Sequence, residues 1–263
     1  MELAAGLSAF SIPFSPVVAM TSVTPTSPET ETSGNAEQLF YQGVEKLSQN
    51  LLDEAQVALE SSYKLNPSNS GTPFNLAICY VRKGMYQAAL EFFEKTIELE
   101  PELTVAYFNA GKTAFLMGSH EEAVIYFERS LKGDMPEGQV LPAKGIALHS
   151  CGRMAEALED FNRALELEES TVCLLYRAKS KMMMHDFAGA LTDIERLEEL
   201  GEVNAETLVV RFMSLKQMQR NWEALEAFEQ LEAIDPEAGK QFSISLAEDL
   251  EEARKNINLI VKH

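Results

Sequence analysis

Residues 84–101 read GMYQAALEFFEKTIELEP, and residues 118–134 read GSHEEAVIYFERSLKGD. Laid over each other 34 positions apart, they share a glycine, an alanine five residues later, and a phenylalanine four residues after that. The grid extends in both directions. Its alanines are Ala55, Ala89, Ala123, Ala157, Ala190 and Ala224, at steps of 34 except for one step of 33 between Ala157 and Ala190. Four residues after each stands a large apolar side chain: Leu59, Phe93, Phe127, Phe161, Ile194 and Phe228. Gly84, Gly118 and Gly152 precede three of the alanines by five, and Pro67, Pro101 and Pro236 follow three of them by twelve. A fixed period of this length belongs to stacked supersecondary units, which settles the fold class before any local reading.

The unit is a helix, a tight turn, a second helix and a break. Alanine stands where two helices cross closely, and the large residue four positions on lies one turn along the same face, filling the gap between neighbouring units. The glycine ends the first helix with φ > 0. The proline stops the second helix or opens the next unit. One such pair cannot bury its apolar face, whereas a stack can.

These residues resemble the tetratricopeptide repeat (TPR) family. The family's small residue in the middle of the first helix is matched by Gly43, Gly111 and Gly145, with Ala77 and Ala178 as substitutes, while Phe212 departs from it. The resemblance implies an all-α TPR solenoid, a right-handed superhelix of helix pairs. Six repeats start near Ala36, Ser70, Thr104, Gly138, Thr171 and Ala205 and fill residues 36–238. The family's tryptophan is missing from its usual place, and the only Trp, Trp222, falls in the turn of the sixth repeat, where local packing is expected of it. Repeats four and five carry Glu169 and Glu202 in place of the terminal proline, which makes their junctions the least regular.

Outside the array the texture changes. Residues 1–35 hold six Ser, five Thr and four Pro and no Lys or Arg, so an arm with a disordered linker over 21–35 is expected there. A secretory signal would carry a positive start, and the only early charge is Glu2. Two readings of the arm stay open: a passive tail or targeting signal, and an autoinhibitory segment whose Phe10, Ile12, Phe14, Val17 and Val18 fold back on the protein's own groove. Residues 239–263 begin another helix, with Phe242, Leu246, Leu250, Ala253, Ile257 and Ile260 on one face, expected to cap the last repeat.

The chain has 263 residues, 46% hydrophobic and 24% charged, which are globular proportions. Forty-one acidic residues against 22 basic ones leave a charge of −19, so nucleic-acid binding is not expected. No apolar run reaches the length of a membrane span. Cys79, Cys151 and Cys173 form no CxxC pair, and a reducing, cytoplasmic location is the simpler reading.

The residues offer little chemistry. Gly111-Lys112-Thr113 has the tail of a phosphate-binding loop, but the place of its first glycine holds Ala106 and no strand precedes it. His120, His149, His185 and His263 are dispersed. No catalytic residue, metal site or cofactor is expected, and the chain does not read as an enzyme.

What is left is the inner surface that the first helices of a TPR stack present. Helical spacing brings Phe74, Asn75 and Ile78 of the second repeat there, Phe108, Asn109, Lys112 and Phe115 of the third, and Lys179 of the fifth. Asn75 and Asn109 share one place in neighbouring repeats, and an asparagine can both donate to and accept from a peptide backbone. In peptide-binding members an asparagine at this place often does so. Co-chaperone members grip a C-terminal carboxylate with Lys and Asn on the first repeat, but Phe40 and Val44 stand there, so that ligand is not expected. Acidic residues fall on the second helices, Glu91, Glu94 and Glu98 and Glu156, Glu159 and Asp160 among them, and are expected on an outer face. The expected function is that of a scaffold or adaptor binding a peptide segment of a protein partner in the groove. The alternative is a secretion-type chaperone holding apolar client segments. The partner's identity and the oligomeric state stay open.

Overall fold

The computed structural model describes residues 30–240, with side chains from residue 34 onward, and every regular element among them is a helix. In chain order these are α1 (Thr30–Ser48), α2 (Leu52–Leu65), α3 (Gly71–Arg82), α4 (Tyr86–Leu99), α5 (Thr104–Leu116), α6 (His120–Leu131), α7 (Glu137–Ser150), α8 (Met154–Leu167), α9 (Thr171–Met183), α10 (Phe187–Glu199), α11 (Ala205–Gln217) and α12 (Asn221–Ile234). Odd and even helices are the first and second members of the six predicted pairs. The chain is an all-α helical solenoid by this construction. A further helical stretch starts at Pro236. The rest of the expected cap, and the expected arm as far as residue 29, lie outside the described residues. Helix α1 begins at Thr30, inside the stretch read as linker, since a nucleated helix adds residues at little cost.

Two compact units divide after Cys151. In the first, each helix from α1 to α7 packs on the next, and first helices also meet, α1 with α3 and α5 with α7. In the second, α8 to α12 pack in the same order and α9 meets α11. The grid alanines and the large residues after them are buried throughout both units. A methyl group on Gly111 would stand 2.8 Å from the Phe127 ring and 3.2 Å from the Ala123 carbonyl oxygen, and one on Gly43 2.5 Å from Leu59. The small residue in the first helix is therefore a contact requirement, and Gly111-Lys112-Thr113 lies inside α5, not in a phosphate-binding loop.

All six turns between first and second helices use a left-handed residue. Gly84, Gly118 and Gly152 supply three, and Asn50, His185 and Gln219 adopt φ of 60°, 63° and 59° at the same place in the others. The hydrogen bonds are those of a Schellman motif: Gly84 N–H donates to Val81 at 2.9 Å and Met85 N–H to Tyr80 at 2.9 Å, and His185 and Asp186 repeat the pattern. The fifth repeat, without its proline, ends by the same device, Gly201 N–H donating to Glu198 and Glu202 N–H to Leu197. The sixth then restarts with a capping box in which Asn204 and Thr207 exchange hydrogen bonds.

Candidate functional site

Seven of the eight side chains expected to meet a partner lie on α3 and α5 of the first unit. The Phe74 ring stands edge-on to Phe93 at 5.6 Å, and Phe108 lies 5.8 Å from Phe127, so both rings join the core of their own repeats. Ile78 is buried, and Phe115 rests 4.7 Å from the His120 ring. Asn75 Nδ2 donates to the Gly71 carbonyl, one turn back, at 2.8 Å. Asn109 is buried at the same phase. Lys112 is 1% exposed, its Nζ 5.6 Å from the centre of the Phe108 ring. Burial pushes its ammonium down to about 8, because the charged form loses its water.

The pattern of burial on these two helices differs from that of an ordinary packed helix. Every residue from Gly71 to Val81 of α3 is buried, as are Thr104 and every residue from Ala106 to Phe115 of α5. Eleven consecutive residues make three turns, so the whole circumference of α3 is covered.

The eighth residue, Lys179, lies on α9 of the second unit. Its Nζ pairs with Glu206 at 3.0 Å and stands 4.8 Å from the Tyr176 ring centre. Helix α9 is buried at Cys173, Leu174, Tyr176, Ala178 and Ser180 only; its other residues are half-buried and Met183 is exposed.

The sequence reading missed a charged cluster in this unit. Asp193 of α10, 2% exposed, accepts from Arg177 at 2.6 and 3.0 Å and from Lys181 at 2.8 Å. Arg177 also donates to Asn162 at 2.9 Å. The signal was legible: the place just before the large grid residue holds Phe92 and Tyr126 in repeats two and three but Asp160 and Asp193 in repeats four and five. Both aspartates are buried, so Asp160 leaves the predicted outer acidic face. Trp222 is corrected too. It is the second residue of α12 and is 69% exposed, so it is not a packing residue.

Other chemistry does not assemble here. The Cys79 thiol donates to the Leu52 carbonyl at 3.2 Å, and burial pushes the Cys79 and Cys173 thiols up, away from the reactive thiolate. Among the described residues no group of three or more His, Cys, Asp or Glu could hold a metal ion, and no helix is long and apolar enough to cross a membrane.

Comparison with known proteins agrees with this architecture. Family models described as tetratricopeptide repeat match residues 70–134 and 143–171. Tetratricopeptide repeat protein 13 of Homo sapiens is 25% identical over 193 residues, 70% of this chain and 22% of that protein. The Hsp70-Hsp90 organizing protein of Triticum aestivum is 30% identical over 152 residues, 57% of this chain and 24% of its own length. The chain thus spans less than a quarter of either relative. YrrB, a TPR protein with an unusual peptide-binding site, superposes with a TM-score of 0.62 at 21% identity, covering 71% of this chain and 97% of that one. Its likeness is one of fold. Matching family models, related sequences and the helix-pair architecture agree on one assignment: residues 70–134 and 143–171 of this chain carry tetratricopeptide repeats.

Proposed function

We propose that this protein is an adaptor whose inner face on α3 and α5 binds an extended segment of a protein partner. Members of the family work through protein–protein contacts, and the reading for this chain rests on one observation. Asn75 and Asn109 occupy the same place on consecutive first helices, two amides one repeat apart in otherwise apolar surroundings. Amides so spaced can exchange hydrogen bonds with successive stretches of a backbone without reading its side chains. Lys112 supplies a donor beside them, while Ile78 and Phe115, backed by the Phe74 and Phe108 rings packed in their own repeats, form the apolar wall that takes the partner's side chains. Lys179 offers a separate contact on the second unit. The solved TPR protein described as having a peptide-binding site lends this use of the fold a precedent. Free Cys79, Cys151 and Cys173 suit a reducing compartment, and we assign the protein to the cytoplasm.

The test is a titration of partner binding with the Asn75→Ala/Asn109→Ala protein. Each lost hydrogen bond is worth about 1 kcal/mol, so affinity falls ten- to thirtyfold while helicity stays the same. Unchanged affinity moves the binding surface elsewhere.

One observation favours the chaperone alternative. Met183, Met184, Met213 and Met218 are exposed on the second unit, and methionine surfaces adapt to many apolar segments. Co-purification separates the readings: a single stoichiometric partner supports the adaptor, several unfolded clients the chaperone.

A further inference from the structure

Helices α5 and α9 have equivalent neighbours. Helix α5 packs on the preceding second helix α4, its own second helix α6 and the next first helix α7. Helix α9 packs in the same way on α8, α10 and α11. Three such neighbours leave α9 with a half-buried stripe, yet α5 is buried nearly all round and α3 entirely so. Equivalent helical neighbours do not account for unequal burial, which asks for a further body on the inner face of α3 and α5.

We propose that this body is residues 10–18 of the same chain, FSIPFSPVV, which occupy in cis the site assigned above to a partner and must leave before the partner binds. The proposal rests on that assignment of the site. Its own support is chemical and geometric. From Leu3 to Pro28 the chain carries no charge, so laying it on an apolar face strands no ion. The segment after residue 240 carries Glu248, Asp249, Glu251, Glu252, Arg254 and Lys255, and it suits such a face poorly. Pro13 and Pro16 favour an extended backbone and lack N–H groups, leaving carbonyls for the Asn75 and Asn109 amides and the Lys112 ammonium to meet. Phe10, Ile12, Phe14, Val17 and Val18 supply the apolar contacts. Reach is sufficient. Eleven residues separate Val18 from Thr30 at the start of α1, and the twelve steps between the two can extend about 40 Å at 3.3–3.6 Å each. Successive packed helices lie only about 8–10 Å apart. A tether of this length keeps the segment at roughly millimolar effective concentration, so modest affinity suffices to close the site.

The test reads Lys112 in the full chain and needs no partner. Acetylation by an amine-reactive ester, followed by mass spectrometry, compares Lys112 with Lys179 in the same molecule. Lys112 is expected to react slowly in the wild type and about tenfold or more faster in Phe10→Asp/Phe14→Asp, and a synthetic peptide of residues 8–20 at ~mM concentration restores its protection. A photoreactive benzoylphenylalanine in place of Phe14 gives an independent readout, with crosslinks expected on α3 or α5. Lys112 as protected in the double variant as in the wild type, or crosslinks confined to other helices, overturns the proposal. So does opening of Lys112 by Leu250→Asp/Ile257→Asp instead, which names the C-terminal segment as the cover, or protection that falls on dilution, which names a second copy. These readouts and the partner titration fail separately: an arm that docks while the Asn75/Asn109 variant binds normally sinks only the partner site, and the converse sinks only the arm.

Discussion

Lys112 and Lys179 stand at the same place in their repeats, two repeat lengths apart, and meet opposite fates. In the first unit Lys112 is buried above an aromatic ring and its ammonium is driven toward neutrality. In the second unit Lys179 keeps part of its surface and a carboxylate partner in Glu206. The contrast extends to the helices that carry them. α3 is covered all round and α5 nearly so, whereas α9 and α11 are buried on one side only. One repeat template thus yields two kinds of inner face, a covered apolar one and an open one threaded with ion pairs. Position in a repeat decides what a residue packs against within its pair, and what lies beyond the pair decides whether its charge is tolerated.

The largest test of the comparison is the ion cluster of the second unit. Asp193→Ala leaves Arg177 and Lys181, both about four-fifths buried, without their shared carboxylate. Breaking a buried pair by removing one partner is strongly destabilising, and we expect about 3 kcal/mol in chemical denaturation. A change under about 0.5 kcal/mol, the size of an ordinary surface substitution, would mean that the cluster is not a packing element.

The lysine of the first unit gives a smaller effect with a pH signature. Below about pH 8 Lys112 is charged in both the folded and unfolded chains, and its burial penalty is fully present. Between about 8 and 10.5 the folded chain releases the proton while the unfolded chain retains it, so stability rises with pH across that window. Lys112→Met removes the penalty. The variant is expected to be about 2 kcal/mol more stable than the wild type at pH 7, the difference closing by pH 10.5. Lys179→Met, losing only a partly exposed pair, should stay within about 1 kcal/mol. Parallel melting curves for both variants across pH 7–10 would erase the distinction between the two faces.

The smallest effect lies in the turns. His185 and Gln219 hold left-handed backbone where Gly84 and Gly118 stand in the first unit. His185→Gly and Gln219→Gly relieve the steric cost of a side chain there, and each is expected to gain about 0.5–1 kcal/mol in thermal unfolding. A loss instead would show that the His185 ring, 5.7 Å from Phe187, contributes more than the backbone strain it imposes.

Legibility in the sequence followed the range of the interaction. The recurring alanine, the large residue four positions on and the glycine turns were readable because each reports a contact inside a helix pair, and six copies repeat that contact at one period. Two recurring structural features were only partly legible. The left-handed turn is carried by glycine in three repeats, and in the others its conformation appears at Asn50, His185 and Gln219. The aspartates that replace Phe92 and Tyr126 signalled a change of chemistry, but their partner Arg177 lies on the neighbouring helix and at no fixed spacing.

By itself, then, the sequence determined an all-α array of helix pairs, its phase, its core positions and the residues offered to an inner face. The tertiary structure alone decided which of those residues lie open and which lie covered. Lys112 and Lys179 are indistinguishable within their repeats. Burial depends on every atom within reach in space, and the neighbours that desolvate one lysine and ion-pair the other lie outside any local window of the chain.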